Sequence, residues 1–396
     1  MSSDWRSVRV GDVARVIGGA TPATSDETLW GGDVPWLTPK DLSDRPARYT
    51  SVGSRSLTQM GLDSCSAVLV PKGTVLLTSR APIGYVSIAG QPLATNQGFK
   101  SLALNADQDS LYWYYMLRNS TDYLESRANG STFKEISGSV VKDLHFRVPP
   151  LAEQRHIAGV LGALDDLIEV NRGLIQDLDD AFVSSWRIAM GQSSESTSIG
   201  EIAAIAKGLS YKGAFLSDRG LPLINMGCFG VDGKFRESGL KWYVESEVKS
   251  KTRLVKGDLV VVNTDLTQSR DILARPIMNP HEHATSTHHT FQVRVSSGEA
   301  QRFWLYCALR DESVRRRLIS YATGTTVAAL PVDALTSQEI PWADEAAISE
   351  WWSRAESFYT SQLALHEEVI ELEATRDELL PLLMSGRVRV AEGVAA

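Results

Sequence analysis

Leu151–Met190 reads LAEQRHIAGVLGALDDLIEVNRGLIQDLDDAFVSSWRIAM. Within it Ile157, Leu161, Leu164, Ile168, Asn171, Ile175, Leu178 and Phe182 follow one another at steps of four and three. An apolar residue about every 3.5 positions draws a seam along one face of a helix, and that seam needs a partner helix. Forty residues rise about 60 Å, too far for one more helix inside a compact core. Asp165, Asp166, Asp177, Asp179 and Asp180 keep the remaining faces wet.

The partner is expected in the same chain. In residues 344–384 the positions Ile348, Trp351, Ala355, Phe358, Gln362, Leu365, Val369, Leu372, Arg376, Leu379 and Leu383 again step by three and four. Each such helix follows a long stretch of mixed composition. The chain therefore reads as a globular domain over 1–150, a helix over 151–190, a second domain over 191–342, a helix over 343–385 and a tail over 386–396. The two helices are expected to form an antiparallel coiled coil, because a domain is threaded between them. The alternative is two unrelated amphipathic helices, each packed on its own domain. Asn171, Gln362 and Arg376 are polar positions in otherwise apolar seams, where a polar residue fixes register at some cost in stability.

A chain of 396 residues suits two cores better than one. Cys65, Cys228 and Cys307 are far apart and odd in number, which indicates neither a disulfide framework nor a zinc ribbon. No leader pattern opens the sequence and no apolar run is long enough to span a bilayer, so a cytoplasmic protein with no membrane partner is expected. The net charge is −8, but the first heptad stretch carries −4 and the second −8, which leaves +4 on everything else. The acid sits on the helices and the globular parts are mildly basic, which permits nucleic-acid binding.

The two halves repeat each other. Val10-Gly-Asp-Val-Ala-Arg-Val-Ile-Gly-Gly19 answers to Gly200-Glu-Ile-Ala-Ala-Ile-Ala-Lys-Gly208, and Pro35–42 to Pro222–229. Leu69–77 answers to Leu254–262, Tyr114, Leu117 and Arg118 to Tyr306, Leu309 and Arg310, and Gly130-Ser-Thr132 to Gly324-Thr-Thr326. The offset drifts between 184 and 194, as loop insertions make it do, and a period this long is no solenoid. Short β-branched runs punctuated by Gly and Pro alternate with helices, which predicts a mixed α/β fold in each half. Ser193-Ser-Glu-Ser-Thr-Ser198 reads as a polar linker, and residues 386–396 as a frayed tail in which Val388 and Val390 are candidates for an edge strand.

Catalytic signatures are missing. There is no Gly-x4-Gly-Lys-Ser/Thr loop, no Asn-Pro-Pro-aromatic motif and no Gly-x-Ser-x-Gly elbow. His281, Glu282, His283, His288 and His289 fit no standard metal-ligand spacing, so a polar loop is expected rather than a metal site.

Five stretches carry a family resemblance. They are Thr78-Ser-Arg-Ala-Pro-Ile-Gly-Tyr85, Ala94-Thr-Asn-Gln-Gly-Phe-Lys100, Gly130-Ser-Thr-Phe-Lys134, Val148-Pro-Pro-Leu-Ala-Glu-Gln-Arg155 and Glu378-Leu-Leu-Pro-Leu-Leu-Met-Ser-Gly-Arg387. Together they resemble the DNA-specificity subunit of a type I restriction-modification enzyme, and the duplicated domain-plus-helix plan extends the resemblance over the whole chain. The second half departs from the pattern at Pro341-Trp-Ala-Asp344, and Thr285-Ser-Thr-His-His-Thr290 stands where Thr95-Asn-Gln-Gly98 stands in the first. The resemblance implies a non-catalytic chain with no cofactor of its own. It implies two target-recognition domains that each read half of a split target in double-stranded DNA, and helices that act as spacer and docking surface. The implied partners are two methyltransferase (modification) subunits, which bind S-adenosylmethionine, and restriction subunits, which use ATP and Mg. Two pseudo-equivalent domains suit duplex DNA, whose backbone has two-fold symmetry and repeats roughly every 34–36 Å.

Base readout needs donors and acceptors on well-placed loops. The candidates in the first domain are Thr38, Lys40, Ser79, Arg80, Asn96, Gln97, Ser131, Thr132 and Lys134. In the second they are Asn225, Asn263, Thr264, Gln268, Arg270, His288, His289, Thr325 and Thr326. For each, the competing role is a turn residue that satisfies its own backbone. Phe99 reads as core rather than as a wedge between bases, and Arg315-Arg-Arg317 as either a phosphate clamp or a solvated helix face.

Three other readings stay open on sequence alone: an interaction scaffold with no DNA role, an enzyme with an unfamiliar site, and an acidic DNA mimic, which the +4 on the globular parts disfavours. Replacing Arg80 with Ala is expected to change or abolish recognition of one half-site only. Equal loss at both halves, measured on duplexes mutated in either half, indicates misfolding instead.

Overall fold

The structure is a computed structural model that describes residues 5–43, 47–130, 134–191, 195–230, 233–267, 269–324 and 327–390. By internal contact it divides into two units, Met1–Arg172 with His366–Ala396, and Gly173–Leu365. Each unit takes a stretch of both long helices, Leu151–Met190 and Glu345–Met384.

In the first unit Arg6–Arg9 pairs antiparallel with His145–Val148, which brings the two ends of the globular part together. A five-stranded sheet runs in the order Ala14–Gly18, Lys100–Leu104, Val75–Ser79, Ile83–Ala89 and Tyr49–Thr50. Val75, Leu76 and Leu77 are all buried, because this central strand is covered on both faces. One cover is the helix Ser110–Arg118, whose Asp109 cap accepts from the Tyr112 amide at 2.9 Å. Its Tyr112, Trp113, Tyr115 and Leu117 are sealed from solvent, and each aromatic contributes roughly 4–6 kcal/mol of gross burial. A three-stranded sheet of Arg55–Leu57, Trp30–Leu37 and Ala94–Thr95 completes the unit.

The second unit repeats this plan in outline, with four strands in the sheet that has five in the first unit and five in the sheet that has three. Glu195–Ser198 pairs with Glu339–Trp342, and Ala203–Lys207 lies beside Thr290–Val295 and then Leu259–Val262. The helices Glu299–Arg310, Glu312–Ser320 and Val332–Thr336 match Ser110–Arg118, Thr121–Ser126 and Gly138–Lys142. The register shows the duplication most directly. Trp36 and Leu37 pair in parallel with Ala94 and Thr95, as Leu223 and Ile224 pair with Thr285 and Ser286.

Two sequence readings need correction. Residues 193 and 194 lie outside the described residues, but 195–198 form a strand rather than a linker. A two-stranded ribbon needs no apolar alternation, and Ser198 also opens the next helix in a capping box with Glu201. The described part of the tail, 386–390, is not a strand. Gly386, at φ +70°, turns the chain so that the amides of Arg387 and Val388 close onto the Leu382 carbonyl. Trp5 lies where a Cβ on Gly386 would meet it at 3.4 Å, and Val390 packs on the first core.

The junction motif before the first long helix has a physical reason. Gln154 is buried. Its Oε1 accepts from the Asp109 amide at 3.0 Å, and its Nε2 donates to the carbonyl oxygen of Pro149 at 3.0 Å and to Gln108 Oε1 at 3.2 Å. One amide thus ties the start of the long helix to the start of Ser110–Arg118. In the second unit the fourth residue of the long helix is Ile348, fully buried, which needs no polar partner.

All the seam positions inferred from the heptads are buried or half-buried. In the first unit Arg376 donates to Asp165 at 2.8 Å while Tyr115 donates to the other carboxylate oxygen at 2.6 Å, and Arg172 pairs with Glu373. In the second, Trp351 donates to the Ser185 hydroxyl at 3.0 Å, and Phe182 faces the rings of Trp351 and Tyr359. Within each unit, rising numbers on one helix meet falling numbers on the other, so the pair is antiparallel. Asn171 is buried in the seam, and its Nδ2 has no partner among the described residues. A buried donor left unbonded costs about 1–3 kcal/mol. Asn171→Leu is therefore expected to stabilise the chain by about 1–2 kcal/mol, read as a higher urea midpoint. A lower midpoint means that Asn171 has a partner.

Candidate nucleic-acid interface

At one end of the central strand Val75–Ser79 four loops of the first unit meet. They are residues 19–23, the short helix Pro39–Leu42, the turn 95–98 and the segment around Glu135. Close approach of backbones holds them. A Cβ on Gly19 would sit 2.1 Å from the Thr95 carbonyl oxygen, and one on Gly98 would sit 2.8 Å from Pro39. The Ser79 amide donates to the Gly98 carbonyl at 2.7 Å, and the Asn96 amide to the Leu37 carbonyl at 2.8 Å. Glu135 takes Arg80 at 3.1 Å and lies 3.6 Å from Lys100. Arg80, Lys100, Lys40 and Lys134 against the two carboxylates Glu135 and Asp41 leave the loops net positive.

The same backbone frame stands in the second unit. A Cβ on Gly208 would meet the carbonyls of Ser286 and Thr287, the Thr287 amide donates to the Ile224 carbonyl, and the Asn263 amide to that of His289. The pairing of Arg80 with Glu135 is answered by that of Thr264 with Ala329. Position for position, Thr38 corresponds to Asn225, Ser79 to Asn263, Arg80 to Thr264, Gln97 to His288 and Gly98 to His289.

Several candidate side chains hold these loops together. Thr38 donates to Asp41 Oδ2 at 2.7 Å in a capping box. Burial alone would raise the Asp41 pKa, but the amides of Thr38 and Ser54 and the Thr38 hydroxyl together hold it below the usual range. Asn96 Oδ1 accepts from the Gly98 amide, Asn225 Oδ1 from the Gly227 amide, and Ser79 Oγ donates to the Gly98 carbonyl. Asn263 and Thr264 are buried, with Asn263 Nδ2 on the His288 carbonyl and the Thr264 hydroxyl on Asn263 Oδ1.

Other candidates face outward or have outward parts: Lys40, Gln97 and Lys134 are exposed, and Arg80, Arg270, His288 and His289 half-buried. The His289 ring lies against that of His288, tilted by 39° with centroids 3.9 Å apart; burial and then the neighbouring His288 lower its pKa. The Arg270 backbone, at φ +53°, turns its carbonyl toward Arg315. Ser131, Thr132, Gln268, Thr325 and Thr326 lie outside the described residues.

Arg315 is no phosphate clamp. It is buried, and its guanidinium donates to the carbonyls of Arg270, Asp271 and Leu273, which lie in a loop with no strand to satisfy them. Phe99 is fully buried core, as its pattern indicated. Thr21, Lys100, Glu135 and Tyr211 escaped sequence reasoning. Lys100 was visible at the end of the Ala94–100 motif, and its Nζ lies 3.3 Å from Ser79 Oγ and 3.2 Å from the Gln97 carbonyl. Among the described residues no group of three His, Cys, Asp or Glu gathers at metal distance. No helix of the described residues is long and apolar enough to cross a membrane.

The family model described as the type I restriction modification DNA specificity domain matches residues 2–179. The chain is 28% identical to the type I restriction enzyme MjaIX specificity subunit of Methanocaldococcus jannaschii, over 98% of this chain and 94% of that protein. It is 20% identical to the MjaVIII specificity subunit of the same organism, over 98% and 93%. The crystal structure of the type I restriction-modification system S subunit from M. genitalium has the same fold, with a TM-score of 0.56 at 18% identity over 96% of each chain. The specificity-domain model thus fits the first 179 residues or so, and specificity subunits of type I restriction enzymes resemble the chain along nearly its full length.

Proposed function

We propose that this chain recognises a bipartite target in double-stranded DNA, each unit reading one part. In this reading the helix pair sets the gap between the parts and carries two methyltransferase subunits, with restriction subunits joining that core. The chain itself performs no chemistry. S-adenosylmethionine belongs to the methyltransferase subunits, and ATP with Mg to the restriction subunits.

The observation that carries the reading is a duplicated frame with diverged tips. The backbone bonds and glycine contacts that fix the loops recur in both units. The side chains on that frame do not recur: the exposed Gln97 becomes the half-buried His288, and the half-buried Arg80 becomes the buried Thr264. Fold stability keeps such a frame, and the groups that change lie in the loops, where binding residues are disproportionately found. Two readers of two different sequences are expected to differ in those groups. Lys40 and Lys134 supply phosphate contacts that position a domain without reading bases. Arg80, Gln97, Arg270, His288 and His289 supply the polar groups for base edges.

The test is a map of methylated bases in cells with and without this gene, with the neighbouring methyltransferase expressed in both. A split motif with a fixed gap that vanishes on deletion is expected. An unchanged map sinks the specificity role and favours an interaction scaffold. Inserting one heptad into each long helix lengthens the pair by about 10.5 Å, or about three base-pair steps. The gap is then expected to change while both half-sites keep their sequences. An unchanged gap would falsify the spacer role.

A further inference from the structure

We infer that Gln97 reads an adenine in the half-site of the first unit, and that Thr21 is the residue that positions it. This rests on the DNA-reading role proposed above and names the group that carries it.

Gln97 is exposed at the corner of the 95–98 turn, yet its side chain is fastened. The Thr21 hydroxyl donates to Gln97 Oε1 at 2.6 Å. Thr21 in turn sits on a stiff loop. Trp36 Nε1 donates to the Ala20 carbonyl at 3.0 Å, and Trp30 Nε1 to the Ala23 carbonyl at 3.1 Å. Trp30 and Trp36 pack edge to face at 5.0 Å, and the Arg55 guanidinium lies over the Trp30 ring at 3.4 Å. The backbone of the corner is held separately. Asn96 Oδ1 takes the Gly98 amide at 2.8 Å, and Lys100 donates to the Gln97 carbonyl at 3.2 Å.

The turn is therefore complete without the Gln97 side chain. An exposed glutamine that loses its rotamer freedom pays entropy, which the single exposed bond from Thr21 offsets only in part. The remainder is offset by a ligand, because an amide already oriented binds without that loss. Thr21 uses one lone pair of Oε1. What stays open is the second lone pair and the two N–H bonds of Nε2, which bonds no group among the described residues. An acceptor and a donor side by side in one plane match N6 and N7 of adenine in the major groove.

The second unit keeps the arrangement and changes the chemistry. His288 holds the corner, and Tyr211, from the loop after Gly208, faces its ring at 6.3 Å. The donor and acceptor nitrogens of a neutral imidazole lie in one plane but point apart, so they cannot engage N6 and N7 of one adenine together, and the second half-site is not expected to read adenine at the equivalent position.

The experiment is selection from randomised duplexes by the full-length chain, sequenced after enrichment, with thermal unfolding to confirm that each variant is folded. Wild type is expected to enrich a motif with an invariant A·T pair in one half-site. Gln97→Glu keeps the bond from Thr21 but replaces the open donor with an acceptor, so preference at that pair is expected to move from adenine toward cytosine. Gln97→Ala is expected to lose roughly 5- to 150-fold discrimination at that pair. The rest of the motif should stay as it is. Thr21→Val removes the hydroxyl at nearly constant volume and is expected to weaken discrimination at the same pair only. If wild type enriches a motif and the Gln97 variants enrich the same one, the inference is wrong while DNA reading stands. If wild type enriches nothing, the DNA-reading proposal fails, and this inference with it.

Discussion

A helix of forty residues with one apolar seam is stable only where the seam is covered, and both units are arranged around that need. In the first unit Ile157 and Leu161 enter the same core as Tyr112, Trp113 and Leu117, with Leu380, Leu383 and Met384 from the other long helix. In the second, Phe182 and Trp186 enter a core with Phe303, Trp304 and Trp351. Burial of this kind is non-directional and does not by itself choose a register. The charged seam groups do. Asp165 is shared between Arg376 and Tyr115, and burial and then Asp165 raise the Tyr115 pKa, which keeps its hydroxyl a donor. Arg310, at the end of the helix Glu299–Arg310, holds Asp179 of the first long helix bidentately at 2.7 and 2.6 Å and so fixes that helix against the second core. A slip of one turn would leave a nearly buried charge without its partner, at about 3–5 kcal/mol. Apolar burial supplies the stability, and the ion pairs make one alignment the cheapest.

The same division of labour holds at the loops. Glycine and short polar residues fix the backbone where Gly19 and Gly208 let two backbone segments touch, and there the side chains point inward. Thr38, Asn96, Asn225, Ser79, Asn263 and Thr264 all spend polar atoms on their own or neighbouring loops. Their conformations are thereby fixed, and the few side chains that are not so occupied stand on a stiff frame. That is the preorganisation a base-reading site requires.

Periodicity was the legible part of the sequence. The 3.5-residue repeat located both long helices to within two residues of the observed bounds, and the duplication was readable from glycines and apolar runs alone. Such patterns survive because burial imposes them over many residues at once. The loops were less legible, since a polar residue in a turn looks the same whether it caps a backbone amide or waits for a ligand. Asn96 and Gln97 are neighbours of similar chemistry, but the first closes the turn and the second is turned outward. What separates them is Thr21, seventy-six residues away, and no local rule reports a contact at that distance. Arg315 misled for the same reason, since its three carbonyl partners come from a loop more than forty residues earlier.

The placement of charge follows from the proposed role. The heptad stretches carry −12 together and the rest of the chain +4. Duplex DNA repels the first and attracts the second, so an approaching duplex is steered toward the basic loops. Within the loops Glu135 moderates that attraction by occupying Arg80 and lying near Lys100. The pair is partly exposed, and such pairs contribute only about 0.2–1 kcal/mol. A phosphate or a base edge in good geometry therefore displaces the carboxylate easily, whereas a poorly placed one does not gain enough to do so. Specificity is a difference of affinities. A carboxylate that must be displaced lowers the affinity of every sequence that engages Arg80, so the pair trims overall affinity and holds the guanidinium in place, while discrimination comes from the base edge that replaces it.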